Sequence, residues 1–154
     1  MGIYLLIGLV LIGLGIAGAS TLKAINLGNS QNIITKGPTT WDYLFIRYSR
    51  YPDIAKAVCR VESNFKQDAV GDSGRAHGLM QIWLPTAKGY GFLGASGELV
   101  NPEHNIKYAC AFLDDMIDKY GVERGIMAYN LGETKIRKGY TVASYLNKVQ
   151  VALA

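Results

Sequence analysis

Apolar residues recur three or four positions apart in several stretches of the chain, which is the spacing of one face of an α-helix. One such stretch begins after Pro52, which suits the first turn of a helix, and runs to about Asn64. Another begins at Asn101, a helix-capping residue, and ends at Gly121. The third begins after Thr141. The three apolar faces are Ile54, Val58, Val61 and Phe65; Ile106, Ala109, Cys110, Leu113, Met116 and Ile117; and Val142, Leu146 and Val149.

Shorter segments between these stretches also favour helices. Trp41 to Tyr51 is rich in aromatic residues, Pro85 to Gly91 is stopped by glycines, and Val122 to Asn130 ends before Leu-Gly. Lys66 to His77 is typical of a loop, with strong turn residues. Neither sustained alternation nor a hairpin dipeptide indicates strands. The pattern therefore predicts a mainly α domain over residues 41–154, preceded by a polar linker over residues 23–40.

The first 22 residues carry no charged side chain, and Ile3 to Ala19 is almost wholly apolar. This length, about 17 residues, lies at the short end of what spans a bilayer. Ala17-Gly18-Ala19 resembles a signal-peptidase site, but no Lys or Arg precedes the apolar run. We expect a retained transmembrane anchor over residues 1–22. The alternatives are a cleaved signal and a buried core helix, and the latter is disfavoured because the segment is apolar all round.

Charge and cysteine content narrow the possible functions. Residues 41–154 hold 14 basic and 12 acidic side chains, a net charge of +2, and lack a basic run with interleaved aromatics. A nucleic-acid partner is therefore not indicated. The two cysteines, Cys59 and Cys110, lie on separate predicted helices and are either paired in an oxidising compartment or free and buried. The scattered His and Cys residues do not form a metal-ligand pattern, so neither a metal nor another cofactor is predicted.

Glu62 stands at the edge of an apolar helix face, directly after Val61 and one turn beyond Val58. A carboxyl group at such an edge is partly desolvated, which raises its pKa. A carboxylic acid that stays protonated near neutral pH can donate a proton to the leaving oxygen of a glycosidic bond. A Glu on a helix is ordinarily a solvated surface residue, so the interpretation depends on the motifs around it.

Four motifs follow one another in the chain: Glu62-Ser63-x-Phe65, Gly78-Leu79-Met80-Gln81-Ile82, Ala128-Tyr129-Asn130 and a late Tyr145. Pro85-Thr86-Ala87 and Asn101-Pro102 with Asn105-Ile106 lie between them. In this order the motifs resemble those of the soluble-type lytic transglycosylases, a family of the lysozyme-like superfamily, over roughly residues 50–150. The resemblance is strongest to small single-domain members attached to bacterial secretion systems and phage particles.

The resemblance implies a lysozyme-like fold and a reaction on peptidoglycan that uses one Glu. In that family the Glu protonates the oxygen between N-acetylmuramic acid and N-acetylglucosamine, and the substrate's own N-acetyl group stabilises the cation at C1. The same carboxylate then takes a proton from the C6 hydroxyl, and a 1,6-anhydro ring closes without water. By this resemblance Glu62 is the catalytic residue.

The resemblance also implies substrate-binding roles for residues of the first two motifs. Ser63 is expected to orient the Glu62 carboxyl group or to cap nearby backbone. The amide of Gln81 is expected to bind hydroxyl or acetamido groups of the sugar. Met80 is expected to form a wall of the sugar subsite, with a place in the core as the alternative.

The two later motifs supply the remaining expected contacts. Tyr129 and Asn130 lie at a predicted helix C-terminus, where they can face the groove and bind the acetamido group. The alternative is a core Tyr129 followed by a C-terminal cap at Asn130. Tyr145 is expected to hydrogen-bond Glu62, and an ordinary half-buried tyrosine is the alternative.

The loop before Gly78 departs from the family pattern. Many members have a Ser-x-x-Gly-Ala-x-Gly run, whereas this chain has Gly71 to His77 with both Asp72 and Ser73 as candidates for the sugar-supporting position. An Asp here also resembles the second carboxylate of some lysozymes. A hydrolytic muramidase is therefore the alternative function, and a glycan-docking protein without activity is a third possibility.

Peptidoglycan as substrate predicts a membrane-anchored domain facing the bacterial periplasm, or an anchor in the internal membrane of a phage virion. Lys23 and Lys36 near the apolar run would by themselves place the domain on the cytoplasmic side. Because peptidoglycan lies outside the cytoplasmic membrane, we nevertheless expect the domain on the periplasmic side. The expected partners are glycan strands, the membrane through residues 3–19, and a secretion-system or phage membrane assembly.

Overall fold

The computed structural model describes residues 39–154, which form a mainly helical structure as the sequence predicts. The anchor predicted over residues 1–22 and nearly all of the linker lie outside the described residues. Within residues 39–154 the helices are too short or too polar to cross a bilayer. Seven α-helices occur in this part of the chain: α1 Asp42–Tyr48, α2 Pro52–Ser63, α3 Leu84–Gly89, α4 Pro102–Tyr120, α5 Val122–Leu131, α6 Glu133–Arg137 and α7 Ala143–Leu153.

Helix α4 is the longest helix of the described residues and contacts α1, α3 and α5. Its start is the predicted one, because the Asn101 side chain accepts hydrogen bonds from the backbone N–H groups of Glu103 and His104, at 3.0 and 3.2 Å. Gly125 of α5 lies so close to α4 that a Cβ there would come within 2.5 Å of the Ile117 backbone. The glycine therefore permits the close approach of the two helices.

A small antiparallel sheet separates α2 from α3, and its presence corrects the prediction that strands are absent. The strands are β1 Val70–Gly71, β2 Ala76–His77 and β3 Ile82–Trp83, in the order β1-β2-β3. Val70 lies opposite His77 in the first pair, and Ala76 lies opposite Trp83 in the second. Each strand has two residues, too few for the alternation that marks a strand in a sequence.

Two further short elements also lie outside the sequence prediction. Helix α6 has five residues, of which Ile136 is the buried one, and a 3₁₀ turn covers Ser96–Val100. One buried residue per element gives no periodic signal. The last predicted helix is confirmed as α7, with Leu146 and Val149 buried.

The core is formed mainly by buried residues of α1, α2, α4, α5 and α7, together with Leu79, Met80 and Ile82. Cys59 of α2 and Cys110 of α4 are both buried within it and are not bonded to each other, so the free-thiol alternative holds. Cys59 donates a hydrogen bond to the Leu79 carbonyl oxygen at 3.3 Å, and Cys110 lies 3.9 Å from the sulfur of Met80. Both thiols therefore pack against the segment that connects β2 to β3.

Candidate active site

Glu62 lies in the last turn of α2, at the wall of a cleft of about 450 Å³. The helix ends because Asn64 and Phe65 adopt left-handed backbone conformations, with φ of 52° and 62°. The chain then turns into the sheet, whose residues Ala76, Ile82 and Trp83 line the same cleft as Glu62. The residues that line the cleft are Glu62, Asp72, Ala76, Gln81, Ile82, Trp83, Thr86, Phe112, Tyr129, Asn130, Leu131 and Gly132.

The Glu62 carboxyl group is held by one tyrosine in a largely desolvated place. The Tyr145 hydroxyl donates a hydrogen bond of 2.5 Å to Glu62 Oε1, although 83 residues separate the two in the chain. Burial raises the pKa of Glu62 above its ordinary value, and the hydrogen bond from Tyr145 offsets part of that rise. The expected desolvation of Glu62 and its contact with Tyr145 are thus both present.

We expect Tyr145→Phe to raise the pKa of Glu62 further, because the hydroxyl favours the ionised carboxylate and the burial remains. A titration of the side-chain carboxyl carbon of Glu62 by NMR measures the shift directly. Tyr140→Phe, at an exposed tyrosine outside the cleft lining, is the matched control and should leave the pKa unchanged. A lower or unchanged pKa in Tyr145→Phe would contradict the proposed effect of the hydrogen bond.

The segment from His77 to Met80 is fixed by one buried side chain, Asn105 of α4. Its Nδ2 donates to the carbonyl oxygens of His77 and Leu99, both at 2.7 Å, and its Oδ1 accepts from Met80 N at 2.7 Å. Gly78 has φ +72°, and a Cβ there would come within 2.4 Å of Asn105 Nδ2. The glycine is therefore required both by its backbone conformation and by the proximity of Asn105.

Gln81 lines the cleft, but its amide nitrogen is used within the protein. The residue has φ 49°, and Nε2 donates to the carbonyl oxygens of Ala69 at 3.0 Å and Gly78 at 2.8 Å. Both amide protons are therefore committed to the loop. The expected role of Gln81 as a donor to sugar groups is replaced by one in holding the loop, and its carbonyl oxygen is the group left for a ligand.

Met80 lies in the core, so its expected place in the wall of a sugar subsite is wrong. Its side chain has no exposed surface and contacts Cys110, because the segment that Asn105 fixes turns it inward. The backbone of this segment anchors two other motif residues. Tyr129 Oη donates to the Met80 carbonyl oxygen at 2.7 Å, and Ser63 Oγ donates to that of Leu79 at 2.6 Å.

Ser63 therefore takes the backbone-capping alternative, since its hydroxyl also accepts a hydrogen bond from Lys66 N at 3.1 Å. Tyr129 is buried and lines the cleft with its ring, which lies 5.4 Å from the ring of Phe112. Burial raises the pKa of Tyr129 well above its ordinary value, so its hydroxyl remains a donor to Met80. Asn130, next in the chain, is exposed at the cleft and available to a ligand.

The loop between β1 and β2 places its two candidates differently. Asp72 lines the cleft, whereas Ser73 is exposed outside the cleft lining. Arg75 Nη2 contacts Asp72 Oδ1 at 2.9 Å, and Arg75 Nε donates to the Asp72 carbonyl oxygen at 3.2 Å. Of the two, Asp72 is the residue that can reach a ligand in the cleft.

Several lining residues have no counterpart in the sequence-based site. They include Trp83, Thr86, Phe112 and Leu131. Trp83 could have been found from the sequence, because it is an aromatic residue two positions after Gln81. The sequence does not distinguish Phe112 from the residues on the core face of α4.

Within residues 39–154 there is no group of three His, Cys, Asp or Glu side chains that could hold a metal ion.

Comparisons with protein families and solved structures found proteins similar to this chain. The family model described as the transglycosylase SLT domain matches residues 41–148. The 70 kDa soluble lytic transglycosylase from Escherichia coli is 28% identical, with a TM-score of 0.57 over 75% of this chain and 20% of that chain. The 70 kDa soluble lytic transglycosylase in complex with bulgecin A is also 28% identical, with a TM-score of 0.58 over the same shares. None of the curated proteins matches significantly.

An inactive glutamate-to-glutamine mutant of the lytic transglycosylase Slt from Pseudomonas aeruginosa is 24% identical, with a TM-score of 0.58 over 73% of this chain and 21% of that chain. At this identity the likeness concerns the fold. The chain thus spans about a fifth of the length of the structures that it matches. The similarity of the Escherichia coli transglycosylase and of the bulgecin complex to about three quarters of this chain confirms the lysozyme-like helical fold.

Proposed function

Because the chain belongs to the transglycosylase SLT domain family, we propose that it is a peptidoglycan lytic transglycosylase. It cleaves the β-1,4 bond between N-acetylmuramic acid and N-acetylglucosamine and forms 1,6-anhydro-N-acetylmuramic acid. The observation that carries this proposal is Glu62, a half-buried carboxyl group with a raised pKa at the wall of a sugar-sized cleft.

The first step needs Glu62 in its protonated form. Its proton passes to the glycosidic oxygen, the bond from C1 to that oxygen breaks, and the electron pair leaves with the oxygen. The N-acetyl group of the substrate stabilises the positive charge at C1. The raised pKa of Glu62 supports this step, because it increases the protonated fraction near neutral pH.

The second step uses the carboxylate that the first step leaves. Glu62 takes the proton of the C6 hydroxyl, and that oxygen bonds to C1 and closes the anhydro ring. The proton lost in the first step is thus regained, and water is not consumed. Tyr145 supports both steps, since its hydroxyl holds Oε1 in place and partly stabilises the ionised form.

The remaining cleft residues are proposed to bind the strand. Asn130 offers an exposed amide for the acetamido group, and the ring of Tyr129 supplies the wall beside it. The carbonyl oxygen of Gln81 can accept from a sugar hydroxyl. Ser63 acts indirectly, through the backbone of the segment before Gln81.

Hydrolysis is the second candidate, because Asp72 lines the same cleft as Glu62 and a second carboxylate could position water. Its Oδ1 is, however, paired with Arg75, which favours a structural role. Glycan docking without turnover is the third candidate. Mass spectrometry of products from purified sacculi separates the three candidates. A transglycosylase gives products lighter by one water than those of a hydrolase, a muramidase gives products with reducing ends, and a docking protein gives no product.

We expect Asp72→Asn to keep turnover within about threefold of wild type and to yield the same anhydro product, because the first mechanism gives Asp72 no proton to move. Turnover is measured as soluble product released from sacculi. Asp68→Asn, at an exposed Asp outside the cleft lining, is the matched control. A loss of about 100-fold or more in Asp72→Asn alone, with reducing ends in the wild-type product, would favour the muramidase.

The location follows from the proposed substrate. Peptidoglycan lies outside the cytoplasmic membrane, so we propose that the catalytic domain, residues 41–154, faces the periplasm. Residues 1–22 would anchor it through the linker of residues 23–40. The internal membrane of a phage virion and a secretion-system assembly are the two candidate settings, and localisation in purified particles against the host envelope separates them.

A further inference from the structure

Trp83 is a partly exposed aromatic residue of the cleft that the proposed mechanism does not use. It ends β3, lines the same cleft as Glu62, and keeps 41% of its surface exposed. The guanidinium carbon of Arg75 lies 4.6 Å from the centre of its ring. Arginine stacks on aromatic faces in this way, and the contact holds the indole in one orientation.

Arg75 in turn contacts Asp72. Its Nη2 and Nε contact the side chain and the backbone oxygen of Asp72, at 2.9 and 3.2 Å. Asp72, Arg75 and Trp83 therefore form a connected stack at one wall of the cleft. Because the carboxylate compensates the guanidinium charge, this stack presents an aromatic surface rather than a site for an anion.

We propose that Trp83, supported by Arg75, is a stacking platform for a pyranose ring of the glycan strand. The proposal rests on the proposed function. An N-acetylated sugar has an apolar face of C–H groups and polar groups at its rim, which matches an ordered aromatic ring bordered by polar side chains. The sheet holds Trp83, whereas α7 holds the Glu62 carboxyl group through Tyr145. Trp83 thus binds a ring without taking part in bond breaking.

Binding of this kind contributes equally before and during the chemical step, so its loss should raise KM and leave kcat nearly unchanged. We expect Trp83→Ala to raise KM for soluble uncross-linked glycan strands about tenfold, with kcat within about twofold. Trp83→Phe should restore KM to within about threefold of wild type, because a flat ring remains. Tyr43→Ala, at an exposed aromatic residue of α1 outside the cleft, is the matched control and should change neither constant.

An unchanged KM in Trp83→Ala would overturn the platform. So would a fall in kcat at unchanged KM, or a Trp83→Phe variant as impaired as Trp83→Ala. Arg75→Ala tests the support: it should raise KM about threefold, less than the loss of the ring itself. A KM equal to that of wild type in Arg75→Ala would overturn the supporting role of Arg75.

A binding experiment separates this proposal from the proposed function. The chain has two tryptophans, Trp41 and Trp83, so Trp41→Phe leaves Trp83 as the one indole. In a Glu62→Gln, Trp41→Phe protein, added glycan strands should change the Trp83 emission in a saturable way without turnover. If the Trp83 emission saturates with added glycan but the wild-type protein shows no turnover, the stacking role of Trp83 stands and the transglycosylase activity is refuted. If the wild-type protein is active but the Trp83 emission of the variant does not change at glycan concentrations above KM, the transglycosylase activity stands and the stacking role of Trp83 is refuted.

Discussion

Glu62→Gln is expected to lower the turnover of purified sacculi by about 10³- to 10⁴-fold, the size of a general acid–base contribution. In the proposed mechanism the carboxyl group gives a proton in the first step and takes one in the second. The amide can do neither. Its shape is nearly the same, and its oxygen can still accept the hydrogen bond from Tyr145, so the cleft should keep its geometry.

The same variant should be at least as stable as wild type at neutral pH. Glu62 has a higher pKa in the folded state than in the unfolded state, so the folded protein binds this proton more tightly. The proton therefore contributes its whole stabilising free energy at pH values below the unfolded-state pKa of Glu62. That contribution is lost as pH rises through the folded pKa. The free energy of unfolding therefore contains a term that falls over this range, and Glu62→Gln should remove it. Urea unfolding at a series of pH values measures both effects.

Glu123→Gln is the matched control, because Glu123 is exposed in the first turn of α5 and outside the cleft lining. It should leave turnover and the pH dependence of stability unchanged. Residual activity within about tenfold of wild type in Glu62→Gln would refute the catalytic role of Glu62. A loss of activity together with a loss of helical circular dichroism would instead point to a damaged fold.

Asn105→Ala should destabilise the protein by about 3 kcal/mol, since it leaves the Met80 N–H and the His77 and Leu99 carbonyl oxygens without their buried partner. For a domain of this size that corresponds to a fall in Tm of roughly 10 °C. Turnover should also fall, because these bonds fix the segment that carries Gln81 into the cleft wall. Thermal unfolding followed by circular dichroism measures the stability change.

Asn147→Ala provides the control for this prediction, because Asn147 is exposed on α7. Its effect should stay within about 0.5 kcal/mol, as for most surface substitutions. An Asn105→Ala protein with the Tm of wild type would show that another group, such as water, replaces the lost side chain. That result would contradict a stabilising role for the three hydrogen bonds of Asn105.

The long helices could be predicted from the sequence because their apolar residues repeat over several turns. Helix α4 has a capping Asn101, a proline in its first turn and a buried face along its whole length. The sheet and α6 could not be predicted, because each strand has two residues and α6 has one buried residue. Such elements are fixed by the helices around them rather than by their own pattern.

The candidate site was predictable in part, and mainly through the resemblance of its motifs. Glu62 and Tyr145 do lie together, and Asn130 and Tyr129 do border the cleft; their roles in the reaction stay predictions. The placement of Met80 and the use of the Gln81 amide could not be predicted. The left-handed conformation of Gln81 and the bonds from Asn105 decide which side chains of that segment turn inward.

The two thiols of the core have a consequence for handling and oxidation of the protein. Burial raises the pKa of Cys59 to about 12 and that of Cys110 well above its ordinary value, so neither forms the reactive thiolate in the folded state. Both pack against the chain between Gly78 and Gln81. An alkylating reagent can therefore reach them only when the packing around them opens, and the rate of their labelling measures how often this part of the core, which includes the segment at the cleft wall, opens.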